Sequence, residues 1–120
     1  MNIHKIRELL SGEVICGEEF MDKEVKMGCG CDLMSDVLAH INHKSGSVLL
    51  LTGLTNPQVI YTSDAVDIKV ICFVRGKRPD DDVIRLANER GVVLLCTQLP
   101  LFESCGKLYK EGLLGISENE

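Results

Sequence analysis

Three groups of residues in this 120-residue chain have side-chain types that could do chemistry. The first is a set of short loops: Gly30-Cys31-Asp32, Thr52-Gly53-Leu54-Thr55-Asn56 and Arg75-Gly76-Lys77-Arg78. Each follows a strand-like run, and in an open α/β sheet ligands bind beyond the carboxyl ends of strands, beside helix N-termini. Free N–H groups and the helix dipole there favour an anion. Gly53 and Gly76 would let backbone N–H groups come close to it. Arg75, Lys77 and Arg78 would add charge, and a guanidinium can grip phosphate through two hydrogen bonds. The expected ligand is a phosphate-bearing small molecule, held by Gly53, Thr55, Asn56, Arg75, Gly76 and Lys77 with Asp32 and Ser35 beside them. The plainer alternative is a set of ordinary turns whose basic run is offset by Asp80, Asp81 and Asp82.

The second group is Cys29-x-Cys31. Two thiolates could begin a soft-metal site, but a structural zinc site wants CxxC-type spacing and two further ligands. His40 and His43 are one helix away with nothing to fix their geometry, so no metal is expected. The third group is Asp32, Ser35 and Asp36. A positioned carboxylate could act as a general acid or base. The same residues suit the first turn of a helix, where they stabilise free N–H groups, and capping is the favoured reading. GxxxxGK[ST], HExxH and GxSxG runs do not occur, and Gly28-x-Gly30 lacks the third glycine of a dinucleotide fingerprint. No catalytic residue or cofactor is assigned, and the chain reads as a binding module and not a complete enzyme.

These loops need elements to position them. Ile3, Ile6 and Leu10 share a helical face, with Asn2 as cap and Gly12 as terminator. Val14–Cys16 and Glu24–Cys31 read as strands, and Asp32 opens a helix with Met34, Val37, Leu38 and Ile41 inward. His43–Gly46 reads as a loop. Ser47–Thr52, Lys69–Val74 and Val92–Cys96 are continuous apolar strands. Between them Asn56 caps a helix that starts at Pro57, and a second helix opens at Pro79 and closes at Gly91. The last helix carries Leu101, Cys105, Leu108 and Tyr109 on one face. The expected fold is one α/β domain over residues 1–112, a mixed, mostly parallel five-stranded sheet flanked by helices. Residues 113–120 read as a frayed tail.

Composition narrows the class. The chain has 18 acidic against 13 basic residues and a formal net charge of −5, which disfavours nucleic acid. No stretch of about 18 apolar residues suggests a membrane span. Met1–Glu8 has no signal-peptide pattern, so a cytoplasmic protein is expected. Of the six cysteines, Cys72, Cys96 and Cys105 fall in apolar patterns and read as reduced core thiols. A small cysteine-dependent redox or metal-binding protein is the alternative reading.

The run from Val70 through Arg75-Gly76-Lys77-Arg78-Pro79-Asp80, continuing over Val83–Thr97, resembles the C-terminal half of a DRTGG domain. Asp32–Leu38 and Thr52–Pro57 also occupy the expected places, so the resemblance spans roughly residues 3–112. It implies an α/β fold similar to the N-terminal domain of HPr kinase/phosphorylase. Related domains sit in phosphotransacetylases and between the CBS domains of regulated pyrophosphatases. The implied role is a regulatory module that responds to a nucleotide or another phosphorylated metabolite, forms a homodimer and acts on a partner enzyme. The naming letters are mostly absent: Leu54-Thr55 follow Gly53 where Asp-Arg would stand, and Val74-Arg75-Gly76 replaces Thr-Gly-Gly.

Overall fold

The computed structural model describes residues 1–41 and 47–118; the expected loop at His43–Gly46 lies outside them. The sequence's apolar runs become the centre of a sheet ordered β1-β5-β4-β3-β2-β6. Strands β2 (Met27–Gly30), β3 (Val48–Thr52), β4 (Val70–Phe73) and β5 (Val93–Cys96) are mutually parallel, and β1 (Glu13–Cys16) runs antiparallel to β5. Helices α2 (Met34–His40), α3 (Pro57–Ala65) and α4 (Asp81–Arg90) link β2 through β5.

Period-two alternation divides the strands between two cores. Leu50, Ile71, Phe73 and Leu94 pack with Val37, Ile41, Val59, Ile60, Val83 and Ala87, so α2, α3 and α4 share one face. Leu49, Leu51, Val70, Cys72, Val93 and Leu95 pack on the other face with Ile3, Ile6 and Leu10 of the α1 segment (helix Ile3–Leu9) and Leu108 of α5 (Leu101–Lys110). Burial on both faces is why these strands read as unbroken apolar runs.

The sheet has six strands, not the expected five. After α5, Gly112 takes φ +105°, Leu113 drops into the core at 5% exposure, and Leu114–Gly115 form β6, parallel to Met27–Gly28. Gly115 N–H and Tyr109 Oη both donate to the Glu118 carboxylate. The segment expected to fray is therefore tied to the sheet as far as Glu118.

Asn2 Oδ1 accepts from Lys5 N–H, and Gly91 ends α4 at φ +68° as expected. At the end of α1 it is Ser11, not Gly12, that takes the positive φ. Asn56 stands at the start of α3 but its side chain caps nothing. Asp80, one residue after Pro79, caps α4 by accepting from Val83 N–H at 3.2 Å.

Candidate functional site

The carboxyl ends of β2, β3 and β4 bring Asp32, Gly53 and Arg75 to one corner. Thr52 is the last residue of β3, and its Oγ1 accepts from Leu54 N–H, closing a hydroxyl-capped turn. The same hydroxyl donates to Asp32 Oδ1 at 2.9 Å, and Gly53 N–H donates to that oxygen at 2.7 Å. Asp32 therefore does not cap α2: Leu33 holds that position, and the Asp32 carboxylate crosses to the neighbouring strand end. Adjacency of β2 and β3 makes this possible.

Gly53 leaves its Cα bare between two opposite charges. A Cβ placed there would stand 3.7 Å from Arg75 Nη2 and 3.7 Å from Asp32 Oδ1. Both side chains are exposed. Thr55 is half-buried and Asn56 exposed at the α3 start. Ser35 is exposed in the first turn of α2, with no hydrogen bond to the corner among the described residues.

The second loop is built differently from the expectation. Arg75 and Gly76 both adopt left-handed backbone, φ +57° and +69°. That turn points their N–H groups across to the loop after β5, where Leu99 and Thr97 carbonyls accept them, each at 2.8 Å. Lys77 N–H goes to the Val74 carbonyl. None of these N–H groups is left for a ligand, so the loop can offer only side chains. Gly76 is favoured by its left-handed φ of +69°; a Cβ there would meet only the flexible end of Gln98, Oε1 at 2.7 Å. Lys77 is exposed. Arg78 is held by Glu13 of β1 at 2.7 Å, a hydrogen bond that raises its pKa. Arg75 is the cation of this loop that has no ion-pair or side-chain hydrogen-bond partner among the described residues and also reaches Gly53.

The thiols are oriented toward packing. Burial pushes Cys72 up to about 12 and Cys96 to about 11. Cys29 is raised to about 11 by burial first, then by Cys31 and Cys105. Cys31 Sγ donates to the Leu33 carbonyl and accepts from its N–H. All six cysteines are free. No group of three metal-ligating side chains occurs among the described residues; His43 is outside them.

An apolar concavity lies elsewhere. A cleft of about 340 Å³ runs between α5 and the β2–β6 edge, lined by Gly30, Phe102, Cys105, Tyr109 and Leu114 among others, and its walls are almost wholly apolar. Phe102 is 87% exposed at its rim. Sequence reading did not single it out, because Cys105 and Tyr109 fall on an apolar helical face whose plainer reading is core packing. The Asp32–Gly53–Arg75 corner is selected by its charged groups and not by enclosure.

No family model matches this chain, and no curated protein does. A solved structure does share its fold: the CBS and DRTGG domains of the regulatory region of Clostridium perfringens pyrophosphatase, crystallised with an activator, diadenosine tetraphosphate. The TM-score is 0.69 at 16% identity, over 96% of this chain and 48% of that one. The chain thus spans about half the length of that regulatory region. The likeness establishes a DRTGG-like α/β fold. None of the described helices is long and apolar enough to cross a membrane.

Proposed function

We propose that this chain is a cytoplasmic regulatory module that binds a phosphate-bearing small molecule at the Asp32–Gly53–Arg75 corner and catalyses no reaction of its own. The observation that carries the reading is Arg75, a guanidinium with no ion-pair partner among the described residues, beside a bare glycine at the carboxyl edge of a parallel sheet. The pyrophosphatase regulatory region, whose fold is similar, is complexed with an activator, diadenosine tetraphosphate, which supports a nucleotide or related metabolite as ligand. The net charge of −5 argues against nucleic acid. The cysteine-dependent alternative is weaker, since buried thiols with raised pKa values are poor nucleophiles and ligands.

The module also self-associates, in this reading, and passes its state to a partner enzyme. Phe102, Tyr109 and Leu114 expose apolar surface around one cleft, and such patches mark association sites. Sedimentation at micromolar concentration should give about twice the chain mass, the commonest closed assembly, and Phe102→Asp should return it to monomer. A monomeric wild type refutes self-association.

Ligand binding is tested by calorimetric titration of wild type and Arg75→Ala with AMP, ATP and inorganic phosphate. Loss of one charge-assisted contact should weaken binding by roughly 1.5–3 kcal/mol. Equal binding by both proteins removes the corner from the account, and no binding by wild type removes the ligand.

A further inference from the structure

Asp32 is held in place by contacts that use only half of it. Its Oδ1 accepts from Thr52 Oγ1 and Gly53 N–H, the capacity of one carboxylate oxygen. Those bonds lock the side chain, and Oδ2 has no hydrogen bond among the described residues. Across the bare Cα of Gly53 stands Arg75: its Nη2 and the Asp32 Oδ1 each lie 3.7 Å from where a Gly53 Cβ would stand, and no ion pair joins the two among the described residues.

A bare phosphate is a poor match for this pair, because the guanidinium attracts it and the carboxylate repels it. A molecule with an anion at one end and hydroxyl donors at the other satisfies both. We infer that the ligand is a phosphorylated ribose, its vicinal hydroxyls donating to Asp32 and its phosphate resting on Arg75. This rests on the phosphate-binding reading above and adds the sugar to it. Carboxylates are apt acceptors for ribose hydroxyls, and a hydrogen bond to a charged group is among the stronger ones. The loops that meet here, 31–33, 53–56 and 74–80, carry no aromatic side chain. Nothing in them stacks on a base, so sugar and phosphate carry the recognition, and adenine and guanine nucleotides bind alike.

The test is calorimetric titration of the wild-type chain with AMP, GMP, ribose 5-phosphate and 2′,3′-dideoxyadenosine monophosphate. The first three should agree within a few-fold, and the dideoxy compound should bind roughly tenfold or more weakly, the loss expected for a hydrogen bond to a charge. In Asp32→Asn the ratio between AMP and its dideoxy analogue should shrink toward one. The readout is that ratio within each protein, so a change in overall affinity does not obscure it. Equal binding of AMP and the dideoxy compound by wild type overturns the inference while leaving an Arg75-dependent phosphate site standing. AMP binding without GMP or ribose 5-phosphate binding overturns it in favour of a base-reading site. Absence of binding by all four compounds overturns both this inference and the reading beneath it.

Discussion

Arg75 occupies a backbone conformation that glycine would hold at lower cost, and replacing it separates fold from function. Its φ of +57° lies in the left-handed region, which costs a residue with a Cβ about 1–2 kcal/mol. The conformation is imposed by the hydrogen bond from its N–H to the Leu99 carbonyl and by the parallel bond from Gly76 to Thr97. Arg75→Gly keeps both bonds and relieves the strain. Against that, glycine's extra freedom in the unfolded chain returns about 0.4–1 kcal/mol. The net expectation is a gain of about 0.5–1 kcal/mol, a rise in Tm of roughly 2–4 °C for a domain of this size. Arg75→Ala keeps the strain, and the side chain it deletes has no described partner, so its stability should stay within about 0.5 kcal/mol of wild type. Urea denaturation of the three proteins measures the stabilities, and titration with AMP measures binding. Both variants should lose binding while neither loses stability. If Arg75→Gly were less stable than wild type by about 1 kcal/mol or more, the side chain would have a structural task and the strain argument would fail.

Three further outcomes follow from the structure. Asp80→Ala should cost about 1 kcal/mol because it removes the cap on Val83 N–H, whereas Asn56→Ala should change the urea midpoint little, since that side chain caps nothing. Ser63 Oγ is buried on α3 without a hydrogen-bond partner, so Ser63→Ala should stabilise the fold by about 1 kcal/mol; a lower midpoint would mean that the hydroxyl does have a partner. Asp64 accepts from Arg90 and Lys69, which hold its pKa below the usual 3.8. A depressed carboxyl pKa contributes stability above that value and loses it as pH falls through the folded-state pKa. Wild type should therefore lose up to about 1 kcal/mol below roughly pH 4 that Asp64→Asn does not lose, and parallel acid-denaturation curves would dissolve this ion network.

The parallel strands β3, β4 and β5 were legible because burial on both faces writes continuous aliphatic runs, and Gly91 because a left-handed helix end has a local signature. β6 was not legible: Leu114-Gly115 has no strand pattern, and it becomes a strand only because buried Leu113 lays it beside Met27 and Gly28. The corner was legible as a set of loops, since strand ends and helix starts can be counted along the chain. Its inner workings were not. Asp32 has the right type for a cap but spends its carboxylate on Thr52 and Gly53, residues brought to it by strand pairing. The left-handed turn at Arg75 depends on carbonyls at Thr97 and Leu99. Both are tertiary facts, and no propensity encodes them.

The two candidate surfaces meet on strand β2. Gly30, its last residue, lines the apolar cleft and is pressed by α5: a Cβ there would stand 2.7 Å from Cys105 Sγ and 3.2 Å from a Leu101 methyl. Two residues later the same backbone supplies Asp32 to the corner. A ligand held by Asp32 would therefore sit two residues from the strand end against which α5 is seated, and α5 carries Phe102 and Tyr109. If the ligand and a second copy of the chain each favour one seating of α5, linkage makes the effect reciprocal: the factor by which ligand tightens the dimer is the factor by which dimerisation tightens the ligand. A ligand indifferent to the seating would shift nothing, however tightly it bound. What joins the two surfaces is the packing of α5 on Gly30, where the absence of one side chain lets helix and strand approach closely.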